Sequence, residues 1–434
     1  MQFRSTGASE PLVSFKDVIL RCIPPDGGLY VPATTVDMRQ FFLYMDTSAT
    51  YPELVATVTP SLLQGELNPF SASRVAESAF DFEPELVLLD ERLSVLKLYN
   101  GPTGVFKDFG IAFLAAVMEE LIKRNGKAMI LSAARGHSGT SMARAFNKRK
   151  GMTSVILYPE GPIHGLDEED FVTHGGNILP IQIEGNYGDC QRLIREAIND
   201  RPFAERYSIT SANAINAGRL LPQSFYYLYA FIKVKRHLRD DLVFSIPSGN
   251  FGNLIAALYA WKFGMPVGGF IAAMNINNAF GEFIRGRRFV KKPVVSTLSP
   301  ALDVASPENY TRLESFYREA PVVMRNMVFP DSVDDKSTME AMEKAWKKYG
   351  LLLDPHGAVA FAAAQKYHAS RNPNGHVVVM ATGHPAMFSD LVTQITGERP
   401  EQPERFALLQ REIDAPVKIA PSLDTLETAV AALV

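Results

Sequence analysis

Short apolar runs and longer helical patterns alternate through most of the chain. Ala128–Ala134, Thr153–Tyr158, Ile178–Ile183, Leu242–Ile246, Phe270–Asn275 and Val377–Thr382 are brief apolar runs, often rich in β-branched residues. Such runs read as buried strands of a parallel sheet, covered on both faces. Between them, Phe109–Ile122 is apolar on most faces and stops at Asn125-Gly126 after a basic turn, as helices commonly do. Arg219–Leu238, Asn253–Phe263 and Met339–Tyr349 also predict helices. Residues 1–95 are mainly helical and set apart, with the loop Pro24–Pro32 breaking them early. The expected class is α/β with open sheets, whose ligands sit beyond the carboxyl ends of the strands.

Two glycine-bearing segments carry candidate chemistry. In Ser248-Gly-Asn-Phe-Gly-Asn253, a strand ends at Pro247 and a helix opens near Asn253. Gly249 and Gly252 allow a sharp turn and a close ligand approach. The free N–H groups and positive dipole of the helix start can hold a phosphate. The segment is neither a Walker loop nor a dinucleotide fingerprint, and as a bare pattern it more often marks only a tight strand-to-helix turn. In Gly101-Pro-Thr-Gly-Val-Phe-Lys107-Asp-Phe-Gly110, aromatic residues flank the lysine and glycines make room around it. A desolvated lysine favours the neutral amine needed as nucleophile and base. Asp108 beside it is either an ion-pair partner or a helix cap, with capping the expected role. A lysine able to form an imine and a cradle for a phosphate ester are the two attachments that pyridoxal 5′-phosphate needs. Together they imply an enzyme that uses this cofactor.

The ordered motifs go further. Asp26-Gly-Gly-Leu-Tyr-Val-Pro32, the lysine segment, Asn213-Ala-Ile-Asn-Ala-Gly-Arg-Leu-Leu-Pro-Gln223, Pro247–Asn253, Thr297–Val304, Asp354-Pro-His-Gly-Ala-Val359 and Thr382-Gly-His-Pro-Ala-Met-Phe388 follow one another along nearly the whole chain. In this order they resemble the bacterial threonine synthase family, which has the tryptophan-synthase-β type of fold (fold type II). The resemblance implies two open-sheet α/β domains with the cofactor between them. The expected bounds are an N-terminal helical segment at 1–95, a large cofactor domain from 96–124 and 220–434, and a small domain at 125–219. Lys107 would be the Schiff-base residue, and Ser248, Gly249, Asn250, Phe251, Gly252 and Asn253 would surround the cofactor phosphate. Thr382 would face the pyridine nitrogen. On the substrate side the expected residues are Thr103, Arg135, His137, Ser138, Asn213, Asn216 and Arg219, with Arg219 holding the anionic end. The implied reaction converts O-phospho-L-homoserine to L-threonine and phosphate. Elimination or replacement on another anionic amino acid and a non-catalytic cofactor-binding homologue are the alternatives.

Several positions depart from the family pattern. Ala134-Arg-Gly-His-Ser-Gly139 stands where the family usually carries Thr-Ser-Gly-Asp-Thr-Gly, and Glu160, Ala214, Asn100 and Met387 replace a basic residue, a serine, a histidine and a lysine. Cofactor attachment is thus retained while the substrate side is altered. Arg135 could hold a carboxylate or phosphate bidentately, and His137 could transfer protons or bind a cofactor oxygen. His356 and His384 are expected to serve structure, and Asp167–Asp170 to be a solvated acidic turn.

Composition adds mainly exclusions. A net charge of −3, from 44 basic and 47 acidic residues, gives no reason to expect nucleic acid or an anionic membrane as partner. Cys22 and Cys190 are the only cysteines, too few for a disulfide framework or a cysteine zinc site, which fits a reducing cytoplasm. No apolar run approaches the length of about 18 residues of a membrane span, and the N-terminus lacks the apolar core of a signal peptide. The expected partner is a small anionic amino acid, the expected state a monomer or homodimer, and no metal is expected.

Overall fold

A computed structural model describes residues 1–7, 10–122, 126–134, 136–160, 176–286, 290, 292–407 and 417–433. In chain order its strands are β1 (Phe3–Ser5), β2 (Tyr30–Pro32), β3 (Glu85–Asp90), β4 (Leu93–Lys97), β5 (Ala128–Ala133), β6 (Met152–Pro159), β7 (Ile178–Ile183), β8 (Ile209–Thr210), β9 (Leu242–Pro247), β10 (Gly269–Met274), β11 (Val328–Ser332), β12 (His376–Ala381) and β13 (Val417–Ile419). They form a two-stranded pair β1-β2, a six-stranded sheet β11-β10-β9-β12-β4-β3 and a five-stranded sheet β13-β7-β6-β5-β8. Every pairing in the two larger sheets is parallel except β3 with β4. The class is α/β, as the apolar runs predict. β5, β9, β10 and β12 are buried along their whole length, because helices cover both faces of these sheets.

The expected bounds need correction at two places. Residues 85–97 are not helical. They form the hairpin β3-β4 on the edge of the six-stranded sheet. β3 alternates between exposed and half-buried positions, as an edge strand does, so it lacks the continuous apolar run that marks its neighbours. Near the other end, β13 extends the five-stranded sheet by pairing with β7, and Leu426 and Val430 of helix Leu423–Leu433 join its core. That segment therefore lies with the sheet of residues 128–210 rather than with the larger one. Two helical expectations also change. The stretch from Arg219 is broken into Ala217–Leu220, a 3-10 turn Leu221–Gln223 at Pro222, and Ser224–Val234. Helix Lys107–Ile122 begins at the lysine itself.

That helix is apolar nearly all round because it is surrounded. It packs on helices Pro69–Ala79, Ser138–Phe146 and Ala217–Leu220. Its first turn is fixed by Phe109, whose ring lies 5.3 Å from Tyr51 and 4.9 Å from Phe82 in edge-on contacts. A second brace is Arg312, fully buried. It donates to the carbonyls of Tyr30 (3.0 Å), Ala214 (2.8 Å) and Ile215 (2.6 Å) and to Asn309 Oδ1 (2.7 Å). Burial lowers the Arg312 pKa, and these acceptors offset the desolvation of the guanidinium while tying the N-terminal segment to residues 214–215. Among the described residues no helix is long and apolar enough to cross a membrane.

Candidate active site

Three neighbouring parallel strands, β4, β12 and β9, end on the same edge of the six-stranded sheet. The lysine turn follows β4, Thr382 follows β12, and the Ser248–Asn253 loop follows β9. Their ends open onto a cleft of about 450 Å³.

The lysine turn is tied down before it becomes a helix. The buried Asp108 carboxylate accepts from the Thr103 N–H (2.8 Å), the Thr103 hydroxyl (2.6 Å) and the Ser141 hydroxyl. Ser141 lies on helix Ser138–Phe146, so one carboxylate joins the turn to a second element. Asp108 is thus a long-range brace, not the simple cap expected from the sequence. Burial raises its pKa, opposed by the two hydroxyls, the amide and Arg144. A Cβ at Gly101 would fall 2.5 Å from Asp108 Oδ2, so a side chain there would push the carboxylate out of place. Thr103, expected on the substrate side, is instead spent on this brace and does not reach the cleft wall.

The loop after β9 is built differently. Ser248 turns away from the cleft, its N–H donating to Ala273 O and its hydroxyl to Ile246 O, each at 2.8 Å. Gly249 is a steric necessity, since a Cβ there would lie 2.8 Å from both Ala301 O and Leu302 Cα. Phe251 has φ = +57°, a left-handed conformation costly for a bulky residue, and is held by its buried ring against Phe280 at 5.5 Å. Helix Gly252–Lys262 follows. Ile255 N–H bonds back to Phe251 O at 2.9 Å. The N–H groups before it have no partner within the helix. Asn253 Oδ1 accepts from the hydroxyls of Tyr226 and Tyr227, which fixes the amide and leaves Nδ2 buried without a protein partner.

Lys107, His137, Ser138, Asn213, Arg219, Gly249 to Asn253 and Thr382 are brought together around the cleft. Arg219 is buried and donates Nη1 to Ala212 O at 2.7 Å, while its Nε has no protein partner. Burial lowers its pKa to about 10, still leaving it a cation at neutral pH. Burial, and next the charge of Lys107, push the His137 pKa down to about 3, so His137 is neutral, with a buried, unpartnered Nδ1. Asn213 touches the cleft, but its amide is engaged with Ala133, accepting from its N–H at 2.8 Å and donating to its O at 2.7 Å. Asn216 stays outside the wall. It caps helix Ala217–Leu220 through Gly218 N–H (2.8 Å) and donates to the carbonyls of Ile19 and Ser211. Arg135 and Asp167–Asp170 lie outside the described residues.

Of the departures from the family pattern, Ala214 and Met387 line the cleft. Glu160 is exposed and pairs with Lys418 at 3.8 Å. Asn100 lies away from the cleft, donating to Glu83 O at 3.3 Å. His384 caps the turn after it through Ala386 N–H at 3.2 Å. His356 also borders the cleft, with Nδ1 2.6 Å from Asp354 Oδ2 and Nε2 accepting from Ala301 N–H at 3.1 Å. The bond at Nε2 puts the ring proton on Nδ1, facing Asp354. Sequence reasoning missed Tyr187, Gln191, Gln223 and Glu308, which also line the cleft. Gln223 was within reach as the amide closing the Asn213–Gln223 segment; the other three sit in no short motif.

Among the described residues, four buried polar atoms on the cleft lack protein partners: Asn253 Nδ2, Arg219 Nε, His137 Nδ1 and Gln223 Oε1. Each unsatisfied group costs about 1–3 kcal/mol unless something binds it. With the helix start and Lys107, this set, in which Asn253 Nδ2 and Arg219 Nε donate and Gln223 Oε1 accepts, fits pyridoxal 5′-phosphate.

Comparison with known proteins gives the class first. Residues 88–383 match the family model described as pyridoxal-phosphate dependent enzyme, and the folded chain is of the fold-type II kind. Residues 2–80 match threonine synthase N terminus, and residues 357–430 match threonine synthase, C-terminal. Threonine synthase of Escherichia coli (strain K12) is 33% identical over 398 residues, 91% of each chain. That of Haemophilus influenzae is 32% identical over 411 residues, 93% of this chain and 95% of the other. A crystal structure of threonine synthase from E. coli superposes with a TM-score of 0.88 at 30% identity and covers both chains fully. The PLP-bound enzyme from Brucella melitensis gives 0.89 at 27% identity, covering 100% of this chain and 99% of that one. The chain belongs to the threonine synthase family.

Proposed function

We propose that the protein converts O-phospho-L-homoserine to L-threonine and phosphate. The observation that carries this reading is that one cleft, in a chain matched to this family over nearly its full length, holds both Lys107 and the Gly249–Asn253 cradle. Pyridoxal phosphate, when bound, stabilises negative charge at the substrate α-carbon. Lys107 would hold it covalently and, once released by the substrate amine, take the α-proton. The N–H groups at the start of helix Gly252–Lys262 and Asn253 Nδ2 would hold its phosphate. Thr382 would offer a hydroxyl to the ring nitrogen. Arg219, already desolvated and fixed by Ala212 O, would hold the substrate's anionic end. Val105, Phe106, Phe251, Leu302 and Phe388 make the wall largely apolar, which strengthens these polar contacts and limits water. The two sheets would act as two domains, the one carrying His137 closing over the substrate.

Threonine and phosphate measured together from O-phosphohomoserine test the reading, with equal amounts expected. A second reading, elimination or replacement on another anionic amino acid, is favoured by one observation: neutral His137 stands where the family usually has a carboxylate. It would give phosphate without threonine, or no turnover of this substrate.

A further inference from the structure

A short segment before helix Tyr310–Glu319 ties together parts of the molecule carried on different sheets. Glu308 Oε1 accepts from Gln191 Nε2 at 2.8 Å, and its Oε2 accepts from Asn250 Nδ2 at 3.1 Å. The Glu308 N–H donates to Asn250 Oδ1, so the Asn250 amide is held at both ends. Asn309 Nδ2 adds a bond to Asn250 O at 3.1 Å. Gln191 belongs to helix Tyr187–Asn199, which packs on β5 and β6 of the five-stranded sheet. Asn250 lies in the loop after β9 of the six-stranded sheet. Gln191, Ser306 and Glu308 also form a wall shared by the cleft and a second cavity of about 570 Å³ outside it. The clasp therefore stands at the rim of the cleft. Beside it Phe251 is held in its left-handed conformation, a state that persists only where the surroundings over-determine the backbone.

We propose that Glu308 is a positioning residue that couples helix Tyr187–Asn199 to the shape of the phosphate-holding loop, so that the loop's N–H groups converge fully only when that helix is clasped. The proposal rests on the reading that the Gly249–Asn253 loop holds the cofactor phosphate. Without the carboxylate, Asn250 loses one of its two fixed ends and Phe251 loses part of what holds its strained backbone.

The test is a double-mutant cycle read as cofactor affinity of the holoenzyme without substrate, followed by loss of its visible absorbance on dilution. Glu308→Ala should weaken retention on the order of tenfold, the worth of one charge-assisted hydrogen bond. Gln191→Ala should weaken it severalfold in the native background and not further in Glu308→Ala. Glu308→Gln should keep the coupling, because the Gln191 amide can turn and present its oxygen to the new amide. Should Glu308→Ala not fold, Asn250→Ala replaces it in the cycle with the same non-additivity expected. Additive effects overturn the proposal, as does unchanged retention in Glu308→Ala alongside loosened retention in Gly252→Val. If Gly252→Val also leaves affinity unchanged, the phosphate-loop reading fails and takes the clasp with it.

Discussion

The lysine turn and the phosphate loop leave the same sheet at the same edge and each opens a helix, yet they dispose of hydrogen bonds in opposite ways. In the lysine turn, Asp108 gathers Thr103 and Ser141 around itself, and the polar groups there answer one another. In the loop, Asn253 Nδ2 has no protein partner, the helix-start N–H groups have none within the helix, and Phe251 sits in a strained conformation. On the proposed reading the first segment holds one atom, Lys107 Nζ, in place through bond making and breaking, and its rigidity comes from within. On the same reading the second receives an anion, and Asn253 Nδ2 is left for the ligand.

That contrast can be broken in several ways. The largest effect is expected at the lysine. Lys107→Arg keeps the charge but removes the amine nucleophile, so turnover should fall by about 10³-fold or more while the thermal midpoint moves little; near-native turnover would refute the assignment. Next come two glycines three positions apart. Gly249→Ala drives a Cβ to 2.8 Å from backbone atoms and should cost about 2 kcal/mol of folding stability. Gly252→Ala meets nothing nearer than 3.5 Å, so stability should hold within about 0.5 kcal/mol. Its cofactor affinity should nevertheless drop severalfold, because the added methyl would crowd only the ligand. Equal stability losses at both positions, with cofactor affinity untouched, would erase the distinction.

Two further effects are pH-dependent. His137 has its pKa lowered from 6.5 to about 3, so between these values the unfolded chain binds more protons than the folded one. Stability from this residue is therefore present above pH 6.5 and is lost as pH falls toward 3, by about 1.4 kcal/mol per unit at most. Urea titrations of His137→Asn should show a flatter acid limb than the native chain, and identical limbs would count against a buried neutral imidazole. Asp108 shifts the other way. Its folded pKa lies above the ordinary 3.8, so the folded chain holds the proton longer and stability declines as pH rises through that window. Asp108→Asn, which can still accept from the Thr103 N–H, should gain on the native chain as pH rises from 3.8 upward. A constant difference across that range would show the carboxyl to be unshifted.

Much of the architecture is legible in the chain because β5, β7, β9, β10 and β12 carry near-continuous apolar runs, the direct mark of strands covered on both faces. β3 and β13 are not legible. One is a half-wet edge strand and the other three residues long, its partner more than two hundred residues away. The site divides similarly. Lys107 and Gly249–Asn253, which the structure brings to one cleft, are readable as candidates because each lies in a short local segment, a turn and a helix start. Thr103, Asn216 and Ser248 look equally functional in sequence, but Asp108, five residues on, and the more remote Ile19 O and Ala273 O claim their polar groups. Glu308 and Gln191 escape notice because their partnership spans 117 residues and two sheets.

The most direct test of the central claim is borohydride reduction of the holoenzyme followed by peptide mass mapping. A single phosphopyridoxyl adduct is expected on the peptide containing Lys107, absent in Lys107→Arg. An adduct on another lysine, or none on a protein that retains cofactor absorbance, would contradict it.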